Sequence, residues 1–245
     1  MAVILRALWR LVRSVAHALH GALVCALVFP FLAPAARMAR VGAWCSELLG
    51  LLGIELEARG SVHPGPVLFV ANHVSWLDIV AINAVQPARF VSKADVRRWP
   101  LLGWMVACGG TLFIERERKR DALRVVHQVA GALRAGATVA VFPEGTTSDG
   151  RGLLPFHANL LQAAIATATP VQPIALRFSD SGSAYSAAAA YVGDMHLAQS
   201  VWAVVTAQGL AAHVAMLAAQ PSAGVERRAL AELLVAQIES ALGIC

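Results

Sequence analysis

VLFVANHVSWLD, residues 67–78, joins a short apolar run to a polar segment and then to the start of a helical pattern. The run at 67–71 predicts a buried strand, which the HPGP turn at 63–66 bounds upstream. The pattern at 76–85 predicts a helix that stops near Pro87. A strand that leads directly into a helix is the repeating unit of an α/β sheet. This stretch therefore predicts an α/β fold.

The same alternation continues toward the C-terminus. Short apolar runs predict strands at 89–92, 111–114, 138–142, 171–178, 189–192 and 211–218. Helical spacing of apolar residues predicts helices at 121–135, 159–168, 197–209 and 224–242. Strands that alternate with helices indicate a mixed, largely parallel sheet with helices on both faces.

The composition is that of a chain whose surface does not face water alone. Of its 245 residues, 58% are hydrophobic and 14% are charged, against roughly 25% charged in soluble domains. The net charge is +5, and a basic, apolar chain suits an anionic membrane surface. The sequence has no basic stripe interleaved with aromatic residues, so it does not indicate nucleic acid as a partner. The four cysteines are widely spaced and predict neither a disulfide framework nor a metal site.

The N-terminal region supplies a candidate membrane anchor. No charged residue occurs from position 14 to 36, a run of 23 residues, and a helix of that length can cross a bilayer core of about 30 Å. Pro30 and Pro34 would kink or end such a helix, which favours a kinked or hairpin helix within one leaflet. Arginines flank both ends, which disfavours a cleaved signal peptide and leaves the orientation open. We predict a membrane-anchoring helical region at 1–52 and a second domain at 53–245.

His73 and Asp78 form a candidate catalytic pair. Five residues turn a helix by about 500°, so the two side chains do not share a face of one regular helix. The histidine must precede the helix, with the aspartate in an early turn that reaches back to the ring. A carboxylate on one ring nitrogen stabilises the imidazolium that forms when the other nitrogen takes a proton. A capping aspartate beside a loop histidine gives the same spacing without any catalysis.

Three further segments place polar residues at the ends of strands. Residues 110–116, GTLFIER, end on Arg116, whose guanidinium suits a phosphate or carboxylate, or is a solvated charge among charged neighbours. Residues 142–148, FPEGTTS, contain Glu144 and small residues whose backbone amides can bind an anion or a developing oxyanion. Residues 170–176, PVQPIAL, predict a strand that two prolines bound.

The order and spacing of these four segments resemble the glycerolipid acyltransferase family, whose best-known members acylate lysophosphatidic acid. The family pattern is N-H-x4-D, G-x-x-F-I-x-R, F-P-E-G-T and a later proline-bearing strand, and the chain matches it from 72 to 176. The resemblance implies that His73 is the general base and that Asp78 orients it. It also implies an acceptor head group bound by Arg116, Glu144, Gly145, Thr146 and Lys93. No metal or other cofactor is implied, since acyl-CoA or acyl carrier protein is the co-substrate.

Thr147 departs from the pattern, because many family members with phosphate-bearing acceptors have Arg there. A neutral hydroxyl cannot replace the bidentate charge of a guanidinium. Family members that acylate lyso-ornithine lipid resemble this chain, with a small hydroxyl residue followed by S-D-G, as at 148–150.

The resemblance implies acyl transfer to the free hydroxyl of 1-acyl-sn-glycerol-3-phosphate, with lyso-ornithine lipid as the alternative acceptor. It implies a place in the inner membrane, with the active site facing the cytoplasm. A non-catalytic membrane protein that binds lipid is the alternative from another class.

Overall fold

The computed structural model describes residues 1–114 and 119–244. The helices are α1 (Ala2–Leu27), α2 (Pro34–Leu52), α3 (Leu77–Val85), α4 (Leu102–Cys108), α5 (Lys119–Arg134), α6 (Leu161–Ile165), α7 (Leu197–Thr206) and α8 (Arg227–Leu242). The strands are β1 (Ile54–Gly60), β2 (Leu68–Ala71), β3 (Arg89–Lys93), β4 (Leu112–Ile114), β5 (Val139–Val141), β6 (Val171–Ser179) and β7 (Leu210–Met216).

The strands form one sheet in the order β1-β7-β6-β2-β5-β3-β4. The pair β6 and β7 is antiparallel, and the other five neighbouring pairs are parallel. The predicted mixed, largely parallel sheet is therefore confirmed. β2 lies in the middle of the sheet, so the residues that follow it emerge between the ends of β5 and β6. In open α/β sheets this carboxyl edge of the strands is where ligands bind.

Helices cover both faces of the sheet, as the alternation predicts. Successive strand residues point to opposite faces, so Leu68 and Phe69 of β2 belong to different cores, and both are fully buried. Burying an apolar side chain of this size contributes roughly 1.5–3 kcal/mol. The Phe69 core includes Leu49 of α2, Leu77 of α3 and Val204 of α7. The Leu68 core includes Val129 of α5, Leu161 of α6 and Leu230 of α8.

The N-terminal region forms two helices. α1 ends at Leu27, a short 3-10 turn contains Pro30, and Pro34 begins α2. His17 of α1 and Trp44 of α2 join the two helices, with stacked rings whose centroids are 4.9 Å apart. Nε2 of His17 lies 3.0 Å from the carbonyl oxygen of Trp44. Nε1 of Trp44 donates to the carbonyl of His17 at 3.2 Å. Among the described residues, no helix has the length and apolar character needed to cross a membrane. The division into domains at residue 52 stays a prediction.

Three segments differ from the sequence-based prediction. The strand predicted at 189–192 is wrong, because these residues form turns and coil. Ala189 and Ala190 are buried in the Phe69 core, which explains their apolar character without a strand. β1 was not predicted, since its IELEARG sequence is too polar for a buried strand. α4 was also not predicted, since only 7 residues form it.

Candidate active site

His73 and Asp78 meet at the carboxyl edge of the sheet. His73 follows β2, and Asp78 lies in the first turn of α3. The ring Nδ1 is 2.7 Å from Oδ2 of Asp78. The same oxygen accepts hydrogen bonds from the backbone N–H groups of Val74, at 2.7 Å, and Ser75, at 2.9 Å. Because a carboxylate oxygen accepts, Nδ1 carries the proton, and the lone pair of the neutral ring is on Nε2.

Aromatic packing fixes the plane of the His73 ring. The ring stacks on Phe142 with centroids 4.0 Å apart and planes 8° apart. Phe142 in turn stacks on Phe90 of β3, with centroids 5.7 Å apart. The His73 side chain is 19% exposed, and no group in the described residues bonds its Nε2. One ring nitrogen is thus held by the protein, and the other is available to a substrate.

Asn72 fixes the point at which the chain leaves β2. Its side-chain amide donates to the carbonyl of Leu176 at 2.9 Å, and its Oδ1 accepts from the N–H of Leu176 at 2.8 Å. These bonds continue the pairing of β2 with β6 for one more residue. The next residue, His73, therefore starts from a backbone position that the sheet defines.

Glu144 supports the same backbone from the side of β5. Its Oε1 accepts from the N–H of His73 at 2.7 Å, and its Oε2 accepts from the N–H of Leu154 at 3.0 Å. Burial raises the pKa of Glu144 from 4.5 to about 6, and the hydrogen bonds from Leu154 and His73 partly offset this increase. The geometry makes Glu144 a support for His73. A contact between Glu144 and the acceptor stays a prediction.

The loop that follows β5 returns across the His73 segment. The N–H of Ser148 donates to the carbonyl of His73 at 2.8 Å. The hydroxyl of Thr147 donates to the carbonyl of Tyr191. The N–H of Tyr191 donates to the carbonyl of Val74 at 3.0 Å. The three segments that carry these residues are therefore joined around the histidine.

The two other residues predicted from FPEGT lie at the turn of this loop. Gly145 has a φ of 73°, in the left-handed region that favours glycine. This conformation turns the chain directly after the buried carboxylate of Glu144. Thr146, next to it, is exposed. Contacts of Gly145 and Thr146 with the acceptor stay predictions.

The structure describes one of the two predicted cationic residues. Lys93 ends β3 and is exposed, and β5 separates β3 from β2. Arg116 lies outside the described residues. In the part of the chain that the structure describes, no three His, Cys, Asp or Glu side chains form a group suited to a metal ion.

Sequence reasoning missed three residues that shape the site. Asn72 and Phe142 are inside the quoted motifs, but their partners, Leu176 and His73, are distant in sequence. Tyr191 is inside a segment predicted as a strand. A signal was available for Phe142, because strand alternation places it on the same face as Ala140, which belongs to the core of Phe69.

Comparison with known proteins agrees with this geometry. The model of the family described as Acyltransferase matches residues 54–177, which include His73, Asp78 and Glu144. The lyso-ornithine lipid O-acyltransferase of Pseudomonas aeruginosa is 37% identical over 77% of this chain and 72% of its own. The 1-acyl-sn-glycerol-3-phosphate acyltransferase of Neisseria meningitidis is 39% identical over 72% of this chain and 69% of its own.

A solved structure shows the same fold. The 1-acyl-sn-glycerophosphate acyltransferase PlsC of Thermotoga maritima superposes with a TM-score of 0.67, covering 96% of both chains at 19% identity. The family match covers the strands from β1 to most of β6, and the two relatives extend it to about three quarters of the chain. The chain therefore belongs to the acyltransferase family.

Proposed function

We propose that this acyltransferase moves a fatty acyl group from a thioester to the free hydroxyl of 1-acyl-sn-glycerol-3-phosphate, with His73 as the general base. The observation that carries the proposal is the 2.7 Å contact between Nδ1 of His73 and the buried Asp78, which leaves Nε2 open. The names of the relatives, which include lysophosphatidic acid acyltransferases, support the choice of reaction.

The reaction needs one proton transfer to Nε2 of His73 and one from it. As the acceptor hydroxyl loses its proton to Nε2, its oxygen attacks the thioester carbonyl carbon. The tetrahedral intermediate then collapses, the carbon–sulfur bond breaks, and the proton on Nε2 passes to the leaving thiolate. The products are the new ester and the free thiol of coenzyme A or acyl carrier protein. General-base help of this kind contributes about 10²–10⁴-fold in rate.

Asp78 and Glu144 have different tasks in this mechanism. Asp78 holds the ring tautomer and stabilises the imidazolium that forms during attack. Glu144 binds the backbone N–H of His73 at 2.7 Å and so fixes where the ring begins. Since orientation is worth several kcal/mol of a reaction barrier, a base held at both its ring and its backbone is suited to this reaction.

The acceptor is the finer part of the proposal. The Thr147 hydroxyl bonds the carbonyl of Tyr191, so this position supplies no charge to a phosphate. With 1-acyl-sn-glycerol-3-phosphate as the acceptor, its phosphate would need Arg116, Lys93 or Arg151. Lyso-ornithine lipid is the second candidate, because Thr147 favours it and relatives with that name are 36–38% identical.

An acceptor screen tests the proposal. The purified chain is given a labelled acyl thioester and either lysophosphatidic acid or lyso-ornithine lipid, and the labelled product is identified. We expect diacyl product from lysophosphatidic acid at the higher kcat/KM. A preference for lyso-ornithine lipid would move the proposal to the second acceptor. Transfer to neither lipid would contradict it.

A row of exposed apolar side chains supports binding of this enzyme to a membrane surface. They lie on α1 at the three- and four-residue spacing of one helix face: Ile4, Leu5, Leu8, Val12, Val15, Leu19, Leu23 and Leu27. Exposed Trp9 lies on the same helix, and tryptophan favours the lipid interface. The net charge of +5 adds attraction to anionic lipid. We propose that the chain lies at the cytoplasmic face of the inner membrane, where it has access to acyl thioesters.

Co-sedimentation with liposomes of anionic phospholipid tests this surface. The double variant Leu8→Gln, Leu19→Gln changes two exposed side chains of α1, and Leu233→Gln changes an equally exposed leucine of α8. We expect the α1 variant to lose most of its liposome binding, while the α8 variant keeps it. Equal binding by both variants would mean that another surface contacts the lipid.

A further inference from the structure

A cavity lined by arginines lies at the edge of the sheet opposite β1. Its volume is about 550 Å³, and it is formed by Arg89, Ala94, Arg97, Arg98, Thr111, Leu112, Phe113, Arg124 and Gln128. We call it the arginine cavity. Leu112 and Phe113 are successive residues of the edge strand β4 and point to opposite faces, so the cavity extends around that edge.

The cavity concentrates positive charge. Four of its nine lining residues are arginines, and among the described residues no carboxylate lines it. Asp95 pairs with Arg98 at 4.0 Å, and both side chains are almost fully exposed. Neighbouring guanidinium groups repel one another, and a bound anion relieves that repulsion. Arginine is also the side chain best suited to the oxygens of a phosphate.

We propose that the arginine cavity binds the phosphorylated adenosine end of an acyl-CoA donor; this rests on the proposed acyl transfer and adds the identity of the donor. Coenzyme A carries a diphosphate and a 3′-phosphate, which several guanidinium groups can bind together. The cavity volume lies within the usual range for small-molecule sites, about 300–1,000 Å³. The guanidinium carbon of Arg97 lies 5.8 Å from the centroid of the Phe113 ring. Such a pair offers flat surfaces on which an adenine can stack.

The position of the cavity suits a donor better than an acceptor. Arg89 of the cavity precedes Phe90 in β3, and the rings of Phe90 and Phe142 lie between β3 and His73, with centroid distances of 5.7 and 4.0 Å. The phosphate of a lysophosphatidic acid is joined to its reacting hydroxyl through only two carbons and one oxygen, so it binds closer to His73 than the phosphates of coenzyme A do. The long pantetheine arm of coenzyme A places its phosphates several strand spacings away from the thioester, at about 4.8 Å a spacing.

Two arginines are suited to a test because their side chains are exposed and make no hydrogen bond to any group that the structure describes. Arg98 and Arg124 line the cavity from the segment after β3 and from α5. Arg89 is unsuitable, since it donates to the carbonyl of Gly110 at 2.8 Å. Arg134 is the matched control, because it is exposed on the same helix as Arg124 but does not line the cavity.

The first measurement is binding by calorimetry, with the full chain in detergent and with coenzyme A or pantetheine as the probe. We expect the wild type to bind coenzyme A at least tenfold more tightly than pantetheine. In the double variant Arg98→Gln, Arg124→Gln, the ratio of the affinity for coenzyme A to that for pantetheine should fall roughly tenfold. In Arg134→Gln this ratio should stay as in the wild type. Unchanged binding of coenzyme A by the double variant would overturn the proposal, whether or not the chain transfers acyl groups.

The second measurement is transfer from palmitoyl-CoA, palmitoyl-pantetheine and palmitoyl acyl carrier protein. In the double variant we expect KM for palmitoyl-CoA to rise roughly tenfold, with KM for palmitoyl-pantetheine and for the lysolipid unchanged. A rise in the lysolipid KM alone would assign the cavity to the acceptor, and a rise for acyl carrier protein alone would assign it to that protein. Both outcomes would overturn the proposal. Lack of transfer by the wild type from every donor would instead contradict the proposed function.

Discussion

His73 and His213 each place Nδ1 against a carboxylate, yet their surroundings differ. The distances are similar, 2.7 Å from His73 to Asp78 and 2.9 Å from His213 to Glu57. Asp78 is fully buried, whereas the Glu57 side chain is 56% exposed. On the other side of the ring, Nε2 of His213 bonds the hydroxyl of Ser179 at 2.7 Å, whereas no described group bonds Nε2 of His73.

The comparison shows that a histidine–carboxylate contact is not by itself a catalytic site. Glu57 and His213 are directly opposed residues of the neighbouring strands β1 and β7, so sheet pairing alone brings them together. Asp78 and His73 are brought together by a loop that the segment after β5 holds, through Glu144 and Ser148. The chemical difference is the free Nε2, because a ring bonded at both nitrogens has no lone pair for a substrate.

The largest effect is expected for His73→Ala. Loss of the base should lower kcat by about 10²–10⁴-fold, with circular dichroism and liposome binding unchanged. The matched variant is His213→Ala, for which we expect kcat within about twofold of wild type. Initial rates with a labelled acyl thioester measure both. Near-normal turnover by His73→Ala, or a comparable loss in His213→Ala, would remove the distinction between the two histidines.

A somewhat smaller effect is expected for Asp78→Asn. The amide oxygen can accept the same three hydrogen bonds that Oδ2 accepts, from Nδ1 of His73 and from the N–H groups of Val74 and Ser75. The amide carries no negative charge, so it no longer stabilises the imidazolium that forms when Nε2 takes the substrate proton. We expect kcat to fall about 100-fold or more. Glu57→Gln makes the same chemical change at the His213 pair and should leave kcat unaltered. Equal rates in the two variants would show that the negative charge of Asp78 is unimportant.

The sequence predicted the contact between His73 and Asp78 because it is local. Only five positions separate His73 from Asp78, and the mismatch of that spacing with a regular helix required the loop-then-helix arrangement that the structure has. The supports were not predictable in the same way. Asn72 and Leu176 lie 104 positions apart, and their contact depends on β6 pairing with β2. Such contacts follow from topology, which no local pattern contains.

The fold shows the same division between local and distant information. The buried strands β2, β5 and β6 were predicted from apolar runs, because both of their faces are covered. β1 lies at an edge with most of its residues exposed, so its sequence lacks such a run. Residues 189–192 have the opposite property, since Ala189 and Ala190 are buried without strand pairing. Burial, rather than strand structure, is what an apolar run reports.

An effect of intermediate size is expected for Glu144→Gln, on the free energy of unfolding. Its pKa is raised to about 6 in the folded chain from 4.5. A group with a raised pKa contributes stability below pH 4.5 and loses that contribution as the pH rises through about 6. At about 1.4 kcal/mol per pH unit, the loss is on the order of 2 kcal/mol. Glu144→Gln removes this titration, and it also leaves one backbone N–H without an acceptor, at a cost of about 1–3 kcal/mol.

Urea unfolding at several pH values measures this effect. We expect Glu144→Gln to be less stable than wild type at pH near 4.5, with the difference reduced by about 2 kcal/mol near pH 7. The control is Glu232→Gln, at an exposed position of α8, whose stability should run parallel to wild type. A difference between Glu144→Gln and wild type that does not change with pH would contradict the burial of an ionisable group at this position.

The smallest effect is expected for Glu57→Gln on stability. Exposed ion pairs contribute about 0–1 kcal/mol, and more than half of the Glu57 side chain faces water. Urea unfolding should therefore differ from wild type by less than about 1 kcal/mol, and by still less in high salt, which screens exposed charges. A loss above about 2 kcal/mol would indicate that the bonds from Glu57 through His213 to Ser179 form a buried network. The exposure that separates this histidine from His73 would then no longer explain why only one of them is suited to act as a base.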